Sequence, residues 1–143
     1  MTTIAQDWIT ILPEEPCEER SRMTIDAIKS GLAVIEFADI TSTYKEHTAT
    51  FRISKDAGYV DTEDGRFRFQ VSAKTAQICA EELKCMLPTD KLMDIRHLSS
   101  NKLDATLLTA GKNMSSTIYS LDFNKKLNDK ITSYDTIISD VGK

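Results

Sequence analysis

The chain has 143 residues, 41% of them hydrophobic and 28% charged, a balance typical of one soluble domain that buries a single core without disulfides or metals. The formal net charge of −4 argues against nucleic acid as a partner, because phosphate binding needs a basic surface. No apolar run approaches the about 20 residues of a membrane span, and the N-terminus lacks the layout of a signal peptide, so we expect no membrane partner and a location in the cytoplasm or in a virion.

Residues 1–16 are predicted to form an N-terminal docking arm, which packs either on the protein's own core or on a neighbouring subunit. The arm carries the only tryptophan, Trp8, with Ile9 beside it, and it ends in a Pro-Glu-Glu-Pro sequence. Residues 17–143 then form a single α+β domain. Its first helix is predicted to follow Pro16, because glutamates occupy the first turn and a glycine follows the last.

The sequence predicts an antiparallel sheet of about four strands packed by three to four helices. Residues 32–40 are almost continuously apolar, and residues 47–54 alternate between apolar and polar. The Asp64-Gly65 pair favours a tight hairpin that leads into a strand at 66–71. In the strand at 66–71 phenylalanines alternate with arginines, so we expect the phenylalanines to be buried and the arginines to face solvent.

Helices further along the chain are predicted from their N-caps. Ser72 and Thr89 each precede an amphipathic run, and Pro88 with the leucine before it is expected to end the first of these helices. Ser115 or Ser116 is expected to cap a helix that runs to about residue 130. Its apolar side chains are predicted to face the core: Ile118, Leu121, Leu127 and Ile131. Residues 136–141 indicate a final strand.

No catalytic set, no metal site and no cofactor are predicted. The sequence at His97 is similar to the His-x-Ser element of two-histidine phosphoesterases, but at His47 an alanine, Ala49, occupies the hydroxyl position. The acidic turn at 61–65 does not have the spacing of a calcium-binding loop. Three cysteines without a CxxC pair favour free thiols in a reducing compartment.

Two sets of residues are candidates for binding. The first set would hold a small anion through its cationic side chains: Arg52, Arg66, Arg68, Arg96 and His97. The alternation of arginine and phenylalanine at 66–69 is also typical of RNA-binding sheets, which would need exposed phenylalanines. The second set would contact a protein partner through the arm and the last strand, since an edge strand is a template for a second chain: Trp8, Ile9, Ile137 and Ile138.

Residues 71–95, VSAKTAQICAEELKCMLPTDKLMDI, resemble a family of uncharacterised bacterial and phage proteins that share a TAQ-I-A--L-C-LPT-K--D element. The residues that carry the resemblance are Thr75, Ala76, Gln77, Ile78, Ala80, Leu83, Cys85, Leu87, Pro88, Thr89, Lys91 and Asp94. The resemblance implies a phage or prophage origin, and it implies no activity and no catalytic residues.

The leading functional hypothesis from the sequence is a non-catalytic structural or interaction protein that is encoded by a phage. It would be a component of a virion or of its assembly, and it would associate with itself or with a phage or host protein. Two alternatives stay open. One is a non-catalytic N-terminal module of a hydrolase whose active site lies outside this chain. The other is a protein that binds or sequesters a small molecule or nucleotide.

Overall fold

A computed structural model of the chain describes residues 4–107 and 113–140. Within these ranges it has five helices and three small sheets, so the α+β class is confirmed. The helices are α1 (Ile4–Ile11), α2 (Glu18–Lys29), α3 (Ala73–Glu82), α4 (Asp90–Leu98) and α5 (Thr117–Lys130). The strands are β1 (Ala33–Val34), β2 (Phe37–Tyr44), β3 (His47–Ser54), β4 (Tyr59–Thr62), β5 (Gly65–Arg68), β6 (Asn101–Leu103) and β7 (Ile138–Asp140).

The strands divide among three sheets instead of forming the single antiparallel sheet that the sequence predicted. β1, β4 and β5 form an antiparallel sheet in that order, β2 and β3 form a separate hairpin, and β6 pairs with β7 in parallel. The apolar run at 32–40 is split, because Ala33 pairs with Val60 while Phe37 pairs with Ser54. β7 lies where the last strand was expected, and residues 141–143 are outside the described ranges.

The main core lies between α1, α2 and the face of the β1–β4–β5 sheet. Trp8 and Ile9 of α1 are buried in it, and the Trp8 ring meets the Phe67 ring edge-on with 6.4 Å between centroids. Val60 at the middle of this sheet is fully buried. The N-terminal arm therefore packs on the protein's own core, the first of its two predicted positions.

The helix starts lie where the N-cap residues predicted them. The hydroxyl of Ser72 accepts from the amide of Thr75, and Thr89 and Ser116 cap α4 and α5 in the same way. α2 begins with an unpredicted cap, because the thiol of Cys17 accepts from the amide of the third residue that follows it, at 3.4 Å.

The end of α3 was predicted wrongly. The helix stops at Glu82, well before Pro88, because Lys84 adopts a left-handed backbone with a φ of 54°. The amide of Cys85 then donates to the carbonyl of Ala80 at 2.8 Å, and the amide of Lys84 donates to the next carbonyl along the chain. These two bonds are the Schellman arrangement that closes a helix C-terminus.

The inward face of α5 also differs from the prediction. Ile118 is 67% exposed and Leu121 is 39% exposed, whereas the polar residues Ser120 and Asn124 are buried. The reason is that α5 packs against β5. The arginines of β5 form hydrogen bonds, so the helix face that meets them carries polar side chains. This contact between a polar helix face and an arginine-bearing strand organises the candidate site.

Candidate functional site

β5 is an edge strand, and α5 covers its edge with two asparagine side chains. Asn124 Oδ1 accepts from the backbone N–H of Arg68 at 2.9 Å, and Nδ2 of the same asparagine donates to the Arg68 carbonyl at 3.1 Å. One helical turn later, Asn128 Nδ2 donates to the carbonyl of Arg66 at 3.0 Å. The two amides take the place of a neighbouring strand and satisfy three backbone groups of the edge.

Arg68 forms a buried, bidentate ion pair with Asp56. Its Nε donates to Asp56 Oδ1 at 2.8 Å and its Nη2 donates to Oδ2 at 2.6 Å, while Nη1 donates to Asn128 Oδ1 at 2.8 Å. Burial acts to lower the pKa of Arg68, but the hydrogen bonds and charge of Asp56 outweigh it and the pKa is raised. The expectation that this arginine faces solvent is wrong, because a buried carboxylate accepts its N–H groups.

Arg66 lies beside this pair, with its guanidinium between two aromatic rings. Its central carbon is 3.9 Å from the centroid of the Tyr59 ring and 3.7 Å from that of Tyr134. It also pairs with Glu36 at 3.2 Å and with Asp56 at 3.4 Å. Stacking on both faces adds cation–π attraction to the ion pairs, so Arg66 is held in one orientation beside the Asp56 carboxylate.

Arg96 of α4 is buried in a different way, since its guanidinium binds neutral oxygens. Nε donates to the carbonyl of Ser54 at 2.9 Å, and Nη1 donates to the Ser139 hydroxyl at 2.9 Å. Nη2 donates to the carbonyls of Lys55 and Ile138, each at 3.0 Å. No described side chain places a carboxylate within ion-pair distance of it. Burial lowers the pKa of Arg96, and the charge of Asp56 opposes this only in part.

A cavity of about 560 Å³ lies between α4, α5, β5 and β7. Most of its wall is apolar, and the apolar side chains include Phe69, Met93, Leu103, Phe123, Leu127 and Ile138. The polar part of the wall includes the Asp56–Arg68 pair, Arg96, His97 and three serines, Ser54, Ser120 and Ser139. An apolar chamber with a few convergent polar groups is the usual form of a small-ligand site.

The structure gathers three of the five predicted anion ligands around this cavity, and these are Arg68, Arg96 and His97. Arg66 does not line it and lies behind Asp56. Arg52 does not line it either and lies on the hairpin, where it is exposed and donates to Asp39 at 3.1 Å. His47 is exposed at the end of the same hairpin and does not line the cavity, so the two histidines do not meet there.

The predicted partner contacts lie inside the chain's own fold. Trp8 and Ile9 are 9% and 6% exposed, and Ile137 and Ile138 are 5% and 7% exposed. Ile137 packs with the base of the β2–β3 hairpin, and Ile138 packs with β6 and α5. These four side chains can contact a partner only if α1 or β7 leaves its present position.

Sequence interpretation missed the residues that pair with the arginines. Neither Asp56 nor Asn128 is among the residues that the sequence predicted for binding. One signal was present, because Asn124 and Asn128 are four residues apart and therefore share a face of α5. Nothing local to Asp56 indicates that two arginines of a later strand will reach it.

Comparison of the chain with protein-family models, with curated proteins and with solved structures gives no match. Within residues 4–107 and 113–140, no helix has the length and apolar character to span a bilayer, and no cluster of three histidine, cysteine or acidic side chains gathers to hold a metal ion. A functional assignment therefore depends on the geometry of the cavity and of the surface.

Proposed function

We propose that the protein binds a small molecule in the cavity between α4 and α5, and that this molecule has an apolar body and one anionic group. The observation that carries the proposal is Arg96, a buried cation on the cavity wall that pairs with no carboxylate among the side chains that the structure describes. This is the small-molecule alternative of the sequence analysis, with its ligand residues reduced to Arg68, Arg96 and His97.

Size and composition support an amphipathic ligand. Cavities of about 300–1,000 Å³ bury most of the surface of a drug-sized molecule, and 560 Å³ lies within that range. Phe69, Met93 and Phe123 provide flat and adaptable apolar surface for the body of the ligand. A purely ionic ligand such as inorganic phosphate would leave this surface uncovered.

The distribution of charge supports an anionic group at the α4 side of the cavity. The charge of Arg68 is balanced by Asp56, with N–O distances of 2.6–2.8 Å, so a further anion would stabilise this arginine little. The bonds of Arg96 go to carbonyls and a hydroxyl, which solvate its charge without neutralising it. A carboxylate, sulfonate or phosphate beside Arg96 would supply the missing negative charge where the dielectric constant is low.

The test uses a fluorescent probe with this chemistry, 1-anilinonaphthalene-8-sulfonate, and its neutral analogue N-phenyl-1-naphthylamine. We expect the sulfonate to bind the native protein at one site and at least tenfold more tightly than the neutral probe. Met93→Trp should fill part of the cavity and weaken binding about tenfold or more. Leu98→Trp is the matched control, because Leu98 lies on the same helix, is 78% exposed and does not line the cavity.

Arg96→Gln separates charge from shape. It should lower the affinity for the sulfonate and leave that for the neutral probe unchanged, provided that near-ultraviolet circular dichroism shows the same fold. Equal binding of the two probes by the wild-type protein would refute an anion site. Unchanged sulfonate binding by Met93→Trp would place the probe elsewhere and refute the cavity as the site.

A second candidate function is the interaction protein of the leading sequence hypothesis, phage-encoded and acting in the cytoplasm or in a virion through self-association or a phage or host partner. The observation that favours it is the β2–β3 hairpin, which extends beyond the core with an open edge. Its first test is the mass of the purified chain by light scattering over a range of concentrations. A monomer at every concentration would remove self-association.

A further inference from the structure

The β2–β3 hairpin has a base that belongs to the fold and a distal half that does not. Each strand has eight residues, paired along the whole length from Phe37–Ser54 to Tyr44–His47. At the base, Ile40 and Ile53 are buried against Ile137 of the C-terminal segment. Beyond this point the hairpin has no described cover. A two-stranded hairpin alone is of marginal stability in water, so its distal half is suited to contact another chain.

The face that is buried at the base continues uncovered into the distal half. Side chains on one face of a strand recur every second residue, so Ala38, Ile40, Ser42 and Tyr44 share a face of β2. Ile40 is 8% exposed, whereas Tyr44 is 73% exposed. An aromatic ring on the buried side of a strand, but outside the core, gives this face an apolar surface to cover.

No described residue covers the outer edge of β2, and this edge lacks the usual protection. No described strand other than β3 pairs with it. The outer edge of β3 differs, because Arg96 donates to the Ser54 carbonyl and the Ile138 amide donates to the adjacent Lys55 carbonyl, which closes the base of that edge. Monomeric proteins commonly block open edges with lysines, prolines or bulges, but the five residues between Asp39 and Lys45 are all uncharged.

We propose that a second copy of this chain adds to the open edge of β2, antiparallel, about a two-fold axis at Ser42. This inference rests on the second candidate function, self-association, and is independent of the cavity. In this register Thr41 lies opposite Thr43 of the other copy, and Ile40 lies opposite its Tyr44. The exposed Tyr44 ring of each copy thereby gains Ile40 of the other copy as an apolar neighbour, and the two hairpins together form a four-stranded sheet.

Charge selects this register over its neighbours. With Ser42 on the axis, Asp39 of each copy, which also pairs with Arg52 of its own hairpin, lies beside Lys45, the first turn residue after β2 of the other copy, so the interface has an acid–base contact at both ends. A shift by two residues places Asp39 opposite Thr43 in one direction and opposite His47 in the other, and both acid–lysine pairs are lost. Opposite charges across antiparallel strands stabilise a pairing and help to fix its register.

Cross-linking tests the register. In a background with Cys17→Ser and Cys85→Ser, Ser42→Cys places two thiols across the axis, within the distance that a disulfide spans. Ala49→Cys is the matched control, since Ala49 faces Ser42 across the hairpin but lies on the other strand. We expect the Ser42→Cys protein to form a covalent dimer under mild oxidation at least tenfold faster than the Ala49→Cys protein.

Proline substitution tests the edge. The two-residue turn after Tyr44 makes Tyr44–His47 a hydrogen-bonded pair, so the amide of Thr43 points away from β3. Thr43→Pro should block the open edge and abolish the dimer. Thr48→Pro is the control. Thr48 is the cross-strand partner of Thr43 and their hydroxyls are 3.0 Å apart, so either proline removes this contact. Thr48→Pro, however, alters the outer edge of β3 and leaves that of β2 intact.

Light scattering completes the test, with a mass twice that of the 16.1 kDa chain expected at high concentration. A dimer that cross-links at Ser42 and dissociates with Thr43→Pro supports the proposal. If a dimer forms but neither cross-links at Ser42 nor dissociates with Thr43→Pro, self-association is supported and the β2 interface is refuted. A monomer at all concentrations, with slow and equal cross-linking of both cysteine variants, overturns the interface and self-association together.

Discussion

Replacing Asp56 with asparagine tests whether the arginine network holds the fold together. The carboxylate accepts four hydrogen bonds, from Arg68 Nε at 2.8 Å, Arg68 Nη2 at 2.6 Å, Arg66 Nη1 at 3.4 Å and the Ala57 amide at 2.7 Å. The substitution would keep the shape of the side chain but remove its charge. The new amide group would also present N–H donors to a guanidinium, which has no acceptor.

The expected loss follows from the burial of the pair. Arg68 is 7% exposed and Asp56 is 8% exposed, and removal of one partner of a buried ion pair costs about 3–5 kcal/mol because the other charge is left uncompensated. Natural domains have a total stability of about 5–15 kcal/mol. For a chain of this length about 1 kcal/mol corresponds to about 3 °C in Tm, so the Tm of Asp56→Asn should fall by about 10–15 °C.

Urea unfolding followed by tryptophan fluorescence measures this loss, because the single tryptophan, Trp8, is buried against Phe67. Asp26→Asn is the control. It removes a carboxylate that pairs with Arg22 at the surface of α2, where both side chains are more than half exposed, and it should cost less than about 1 kcal/mol. If Asp56→Asn also costs less than about 1 kcal/mol, the network is not a main support of the fold.

Two further predictions concern single residues. Lys84→Gly should raise the free energy of unfolding by about 0.5–1 kcal/mol, because Lys84 has a φ of 54° and glycine adopts this backbone without strain. Urea unfolding measures this gain. An equal gain from Lys84→Ala would refute the explanation by backbone strain. At pH 8, the two exposed thiols should react rapidly with a disulfide reagent, whereas Cys79 should react only on unfolding. Burial raises the pKa of Cys79, so less thiolate is present at that pH, and rapid reaction of three thiols in the folded protein would contradict this.

Features decided by neighbours in the sequence were predictable. Ser72, Thr89 and Ser116 cap helices because their hydroxyls reach amides three residues ahead. The β4–β5 hairpin also forms where it was predicted, although its turn residues are Glu63 and Asp64, one position earlier than the predicted Asp64-Gly65 pair. The class of the fold follows from the order of such elements. The sequence could not reveal how the strands divide among sheets, since the pairing of each strand depends on segments far away in the chain.

The candidate site was only half predictable for a related reason. An arginine next to a phenylalanine in a strand is normally assigned to solvent, and this assignment holds for Arg52, which has only an exposed aspartate beside it. It fails for Arg68 because Asp56 and the asparagines of α5 converge on it from twelve or more residues away. A charged side chain can be buried when its partners arrive with it, and those partners are visible only in three dimensions.

The cavity and the ion-pair network are one electrostatic unit. Asp56 is shared between Arg66 and Arg68, and Glu36 completes the pairing of Arg66. Arg96 is the third cation of the group, and the charge of Asp56 raises its pKa by less than burial lowers it. The described wall therefore carries an excess of positive charge on the α4 side, next to an apolar chamber. An anion that enters there meets a guanidinium already fixed by four hydrogen bonds, so no side chain has to be ordered on binding and less conformational entropy is lost.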